Sequence, residues 1–212
     1  KDRFVSKLKQ LKHPLIEVKL TVLRDKNTPS FQFRRTLYEL ASLMSYEVFK
    51  NIDTISTEIY TPLEKTHGKK LINHLPCIVS ILRAGNGLAD AFSSILPEAT
   101  IGHLGMQRNN ENHKAEYYYE KLPEKIDKKQ VILVDPMLAT GGSAVLAVEK
   151  LKERKVKDIK LVCLVAAPEG IQNFHKSHNE IEIVTASVDR QLDHNSYILP
   201  GLGDAGDRIY NT

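Results

Sequence analysis

The sequence predicts an α/β fold, a mostly parallel sheet flanked by helices. Two observations predict it. The segments CIVSIL (77–82), TIGHLGM (100–106), VILVD (131–135), IKLVCLVAA (159–167) and IEIVTASVD (181–189) read as strands. Segments with helical character separate them, at about 87–96, 143–154 and 170–177. Apolar strands alternating with helices imply a parallel sheet covered on both faces. Ligands of such sheets bind beyond the carboxyl ends of the strands. That rule gathers three loops in one place, those after Leu82, Met106 and Asp135.

Taken in order, the first 13 residues mix basic and apolar side chains, as an arm on a partner subunit or a solvated end would. Thr28-Pro29-Ser30 reads as a helix start, with hydroxyl caps and a proline suited to the first turn. Phe33, Leu37, Leu40, Ala41, Met44 and Val48 follow at helical spacing and predict one core-facing stripe. The alternating stretch 55–60 with a turn at Gly68 predicts a hairpin or edge strand. Residues 107–123 are polar, carry Tyr117-Tyr118-Tyr119, and predict a hairpin or flap. No repeat or linker interrupts the chain, so one domain is expected over residues 1–212; a second would be cramped at this length.

Composition excludes little. Hydrophobic residues at 42% and charged residues at 26% are those of an ordinary globular chain. The formal charge of +4 suits a small anionic substrate as well as a polynucleotide. Cys77 and Cys163 both sit in apolar strand segments and are expected to be buried thiols. The N-terminal segment lacks a signal-peptide core, and no apolar stretch nears the ~20 residues that span a bilayer. These readings predict a cytoplasmic protein without membrane contact. The eight histidines show no metal-ligand spacing; His175 and His178 are three apart but have no companion cluster.

The strongest local signal is VILVDPMLATGGSAV, 131–145. A buried strand ends in Asp135, and a tight loop delivers Thr140-Gly141-Gly142-Ser143 to a helix start. Unpaired N–H groups there carry partial positive charge. Glycines let the backbone approach an anion, and the two hydroxyls add donors. The expected ligand is a phosphate monoester; alone, the motif also fits a glycine turn capped by Ser143. No GxxxxGK[ST] is present, and the glycines after Leu82 lack the third of a dinucleotide fingerprint.

VDPMLATGGSA resembles the phosphoribosyl pyrophosphate loop of type I phosphoribosyltransferases, in the form found in uracil phosphoribosyltransferases. The wider class has two adjacent acids at the loop start; here Pro136 follows Asp135, which is the uracil-enzyme pattern. HPLIEVKLTVLRD, ILRAG (81–85), EYYYEKLP (116–123) and the tail YILPGLGDAGDRIYNT (197–212), whose three glycines and proline read by themselves as a surface loop, match in order. The chain is thus identified as a member of that family, and the resemblance implies a type I phosphoribosyltransferase-like fold with a flap at about 107–123 and a base-binding tail at 197–212.

The resemblance implies an enzyme that transfers the phosphoribosyl group to uracil N1 and releases pyrophosphate, in pyrimidine salvage. Phosphoribosyl pyrophosphate is expected on Arg83, Arg108, Asp135, Pro136, Met137, Leu138, Ala139, Thr140, Gly141, Gly142, Ser143 and Asp204. Ile198, Gly203, Asp204 and Ala205 are expected at uracil, with backbone groups reading the base edge and rejecting cytosine. Asp135, Arg108 and Asp204 are the expected catalytic groups. Mg²⁺ is the expected cofactor, held through substrate pyrophosphate and water rather than by a protein cluster. A homodimer or larger homo-oligomer is expected, and GTP is carried as an effector because some members respond to it. Asn109 and Asn110 replace an acidic pair common in the family, and Asn86 stands where an apolar residue is usual. The rival is a regulator of pyrimidine genes that binds RNA on the same fold. The spread of the lysines and the GLGDAGDR tail argue against nucleic acid as a partner.

Overall fold

The computed structural model describes residues 7–72, 75–108 and 115–212. Its main sheet runs in the order β1 (Leu8–Gln10), β10 (Glu182–Val188), β9 (Ile159–Ala166), β7 (Val131–Val134), β4 (Cys77–Leu82), β5 (Thr100–Arg108) and β6 (Ala115–Lys121), with β8 (Met137–Leu138) also on β9. Every pairing is parallel except β5 with β6. The predicted architecture is therefore the observed one.

Side chains alternate across this sheet, as the strand period requires. Ile78, Ile132, Val134, Val162 and Leu164 face one layer, formed by α1 (Pro14–Arg24), α2 (Ser30–Val48) and α3 (Asn86–Ile95). Cys77, Val79, Val131, Leu133, Leu161 and Cys163 face the other, formed by α4 (Gly142–Glu153) and α5 (Pro168–Ser177). Both faces are buried, which is why the strands read as continuous apolar runs. Both cysteines are buried and free.

Four expectations need correction. Leu8–Gln10 is not an arm or a free end: it is an edge strand parallel to β10, and residues 1–6 lie outside the described part. The hydroxyls around Pro29 do not cap α2. The Thr28 hydroxyl donates to Val22 O at 2.6 Å, and the Ser30 hydroxyl donates to Arg208 O at 2.7 Å, so both are turned away from the first-turn amides. The hairpin of β2 (Thr54–Tyr60) and β3 (Lys65–Leu71) turns at 61–64, not at Gly68. There Thr61 Oγ1 accepts from Leu63 N and Glu64 N, at 3.2 and 3.0 Å, while Gly68 sits inside β3 under the Ile59 side chain. The tail is no plain surface loop. It contains β12 (Ile198–Leu199), paired with β11 (Gln191–Leu192), and a short helix α6 (Ala205–Tyr210).

Among the described residues no helix is long and apolar enough to cross a membrane, and no group of three or more His, Cys, Asp or Glu could hold a metal. His178 is buried between Lys152, 3.1 Å from its Nδ1, and Val145 O, 3.4 Å from its Nε2. His175 Nε2 lies 3.3 Å from Ile181 O. This pair therefore fastens α5 to its neighbours. His74 and His113 lie outside the described residues.

Candidate active site

The loop after β7 is built from below. Pro136 and Leu138 spend their carbonyls on β9 and its continuation, accepting from Leu164 N (2.9 Å), Val165 N (3.1 Å) and Ala167 N (2.9 Å). The Leu138 side chain joins the core. The next residues, Ala139 to Ser143, climb out of the sheet and start α4. Gly141 takes φ of +84°, and a Cβ there would come 2.8 Å from Gly170 O. Glycine alone meets both demands cheaply. Asn173 of α5 donates to Thr140 O at 2.8 Å and steadies the turn.

Above this turn lies a cavity of about 450 Å³, lined by Ala139, Thr140, Gly142, Ser143, Asn173, Ser196 and, from β6, Ala115. The amides of the α4 start give one side of it partial positive charge, Gly142 N lying 3.4 Å from Thr140 Oγ1, while Glu149 lines another part. A second cavity, of about 360 Å³, adjoins it and shares Ala139 and Ser196. Asp135, Met137, Ala84, Tyr197, Ile198, Gly203, Asp204, Ala205 and Gly206 line this one. The two cavities thus share a wall at the carboxyl end of the sheet. One is walled by the glycine turn; the other is walled by the tail.

Asp135 joins them. Burial pushes its carboxyl up to about 7, against a pull downward from the Met137 N–H and a further push upward from Asp204. Charge on this group is costly until a cation or a hydrogen-bond donor arrives. Asp204 caps α6 by accepting from Asp207 N at 2.9 Å.

The structure brings most of the expected residues to these cavities: Asp135, Met137, Ala139, Thr140, Gly142, Ser143, Ile198, Gly203, Asp204 and Ala205. Pro136, Leu138 and Gly141 shape the turn without lining either space. Arg83 follows the cis peptide Leu82–Arg83 and leans towards α6. Its guanidinium lies 5.2 Å from the Tyr210 ring centre and 3.7 Å from Asp207 Oδ1, and its carbonyl accepts from the Tyr210 hydroxyl at 2.9 Å. Arg108 ends β5 opposite Ala115. Its side chain, with Asn109 and Asn110, lies outside the described part. Asn86 accepts from the buried Ser80 hydroxyl at 2.8 Å, which explains a polar residue at that position.

Several residues holding the tail escaped the sequence reading. Arg208 donates to Leu202 O and Asp25 O, at 2.8 and 2.7 Å, and to Leu23 O, and it stacks 4.3 Å over the Phe33 ring centre. Arg34 and Ser30 of α2 donate to Ile209 O. Asp193 holds Asn195 N and Tyr197 N, both at 2.8 Å, beside Ser196, whose φ is +67°. An acid within GLGDAGDR was readable as a helix cap; the pairings of Arg34 with Ile209 and of Arg208 with Leu23, over 170 residues apart, were not.

A parallel sheet with an acid and a glycine turn at its carboxyl end, opening beside a C-terminal loop, defines a type I phosphoribosyltransferase. A solved adenine phosphoribosyltransferase from Trypanosoma brucei shares this fold with a TM-score of 0.60 over 96% of the chain and 90% of its own, at 12% identity. A solved protein from Aquifex aeolicus aligns with a TM-score of 0.88 and 38% identity over 96% of this chain and 97% of its own. The family model for uracil phosphoribosyltransferase matches residues 10–212. A uracil phosphoribosyltransferase from Dictyoglomus thermophilum is 54% identical over 94% of this chain and 97% of its own, and one from Streptococcus salivarius is 50% identical over 98% and 100%. The chain belongs to the uracil phosphoribosyltransferase family.

Proposed function

We propose that this chain transfers the phosphoribosyl group of phosphoribosyl pyrophosphate to uracil N1, giving UMP and pyrophosphate. The observation that carries the reading is the pair of adjoining cavities, one with a phosphate-type helix start and the other walled by the tail backbone together with Asp135 and Asp204. The turn at Thr140–Ser143 anchors the 5-phosphate and so fixes the anomeric carbon. The tail backbone at Ile198 and Gly203–Ala205 reads the base edge. Asp135 holds the ribose hydroxyls between them. Arg83 and Arg108 meet the pyrophosphate, for which a guanidinium fork is suited. As uracil N1 bonds to the anomeric carbon, the bond to pyrophosphate breaks and its charge falls on these cations. Asp204 touches the sugar pyrophosphate and, as a second role, takes the N1 proton.

Asp135 and Asp204 put two carboxylates on one cavity, a donor set that suits a hard cation carried mainly by substrate oxygens. Mg²⁺ bound with the substrate supplies charge neutralisation of the leaving pyrophosphate. Assembly with copies of itself and a response to GTP belong to the same proposal. Tyr46 and Leu63, 88% and 94% exposed, are apolar surface that assembly would cover.

The test is UMP formation from uracil and phosphoribosyl pyrophosphate with Mg²⁺, with and without GTP, with cytosine and hypoxanthine as control bases. Uracil-dependent turnover is expected. A folded sample that binds phosphoribosyl pyrophosphate and turns over no base overturns the reading. RNA binding is not favoured, because the family match runs through the whole tail.

A further inference from the structure

Asp189 lies just after β10, and its side chain is 2% exposed. It accepts four hydrogen bonds. Arg24 reaches both carboxylate oxygens at 2.7 Å, the Ser187 hydroxyl donates at 2.7 Å, and Gly201 N donates at 2.8 Å. Burial alone would raise its pKa, but the bonds from Arg24, Ser187 and Gly201 hold it below the usual carboxylate range. Arg24 also donates to Gly201 O at 2.7 Å. Both backbone polar groups of Gly201 are thus held by one ion pair, from the end of α1 and the end of β10.

Gly201 is the point on which the tail folds back. Its φ is +59°, and a Cβ there would come 2.1 Å from Ile198 O. The Ile198 carbonyl and the Gly201 Cα are in close contact, so moving one moves the other. Ile198 lines the tail-walled cavity, whereas Arg24 and Asp189 line neither cavity. The side chains of the pair therefore reach a cavity wall through the Gly201 backbone that they hold.

We infer that Arg24 and Asp189 are positioning residues for base recognition: they clamp Gly201, set the Ile198 backbone against the base, and leave the phosphoribosyl pyrophosphate half of the site alone. The inference rests on the function proposed above. A bidentate guanidinium–carboxylate fork fixes orientation as well as distance, which a reader of base edges needs and a merely stabilising contact does not.

The experiment is steady-state kinetics of the full-length Asp189→Asn and Arg24→Lys variants, varying uracil and phosphoribosyl pyrophosphate separately. Asparagine presents an NH₂ to surrounding donors, and lysine loses the fork while keeping the charge. The uracil KM is expected to rise about 10- to 100-fold in Asp189→Asn, the size of one lost charge-assisted hydrogen bond, and less in Arg24→Lys. The KM for phosphoribosyl pyrophosphate is expected to stay within about 2-fold. A loss confined to kcat, or equal shifts in both KM values, means a structural role and overturns the inference. Should Asp189→Asn fail to fold, Arg24→Lys decides by the same split. Wild-type turnover run in parallel separates the two readings. Its absence overturns the function and this inference with it; wild-type turnover with an unshifted uracil KM in the variants overturns the inference alone.

Discussion

The two halves of the site are held in opposite ways. The glycine turn at Thr140–Ser143 is fixed by what lies next to it in the sheet: the Pro136 and Leu138 carbonyls on β9, and Gly170 and Asn173 of α5 beneath. The tail has little regular structure of its own and is fixed by side chains on the N-terminal helices, Arg24, Ser30 and Arg34, with Arg208 reaching back to Leu23 and Asp25. The ligands differ accordingly. A phosphate is caught by a dense, general arrangement of amides that any strand–turn–helix can supply. A flat neutral base needs particular donors and acceptors at particular places, and distant residues hold them there.

This contrast can be broken where the halves meet. Asp135→Asn should lower kcat/KM by about 100-fold or more, if its carboxylate holds the ribose as proposed. Its effect on stability should run the other way. The unfolded carboxyl ionises near 3.8 and the folded one near 7. The stability of the protonated form is therefore fully present below about 3.8 and is lost as pH rises through about 7. The variant should melt with the wild type at pH 3.8 or below, and several degrees above it at pH 8, at ~2–4 °C per kcal/mol for a chain of this size. Thermal melts at both pH values check this, and equal melting at pH 8 would contradict the burial of the charge.

Gly170→Val comes next. A Cβ there falls 2.3 Å from Ala139 O and 2.7 Å from Leu138 O, so the glycine turn must shift. The KM for phosphoribosyl pyrophosphate should rise about 10- to 100-fold, with a smaller change for uracil, because ~1 Å of misplacement is costly in a positioned site. Arg208→Met should do the reverse. It keeps an apolar stem over Phe33 but frees the Leu23, Asp25 and Leu202 carbonyls. Uracil KM should rise about 10-fold and stability fall by about 1–3 kcal/mol. Isotherms for each substrate on each variant would show whether the two halves separate in this way. The smallest effect belongs to Lys155, just after α4, with φ of +63°. Lys155→Gly should stabilise by about 0.5–1 kcal/mol, read from denaturant melts, and leave both KM values unchanged.

The same contrast governs what could be read in advance. The strands 77–82, 131–135 and 159–167, and the glycine turn between them, are written in neighbouring residues. α1 was not legible in its own pattern: Ile16, Val18, Leu20 and Val22 alternate as a strand would, and only burial of Ile16, Leu20 and Leu23 picks out a helix face. Gly68 invited a turn because glycine usually marks one, yet the real turn is capped by Thr61. Gly201, Gly203 and Gly206 hid α6. The family resemblance pointed to Ile198 and Asp204 where local reasoning gave only a loop. Neither route could find Arg24 with Asp189, whose pairing spans 165 residues and exists only in the fold.

The Ser30 hydroxyl and the Arg34 guanidinium take up the carbonyls at the end of α6. During synthesis, the carbonyls of Pro136, Leu138 and Thr140 meet their donors in β9 and α5 within about 40 residues of chain. The Ser30 and Arg34 side chains of α2 must wait for the carbonyls of Arg208 and Ile209. Contacts of such long range close late and open early. Mild denaturation should therefore yield a species with an ordered sheet that still retains the sugar phosphate but has lost its grip on the base.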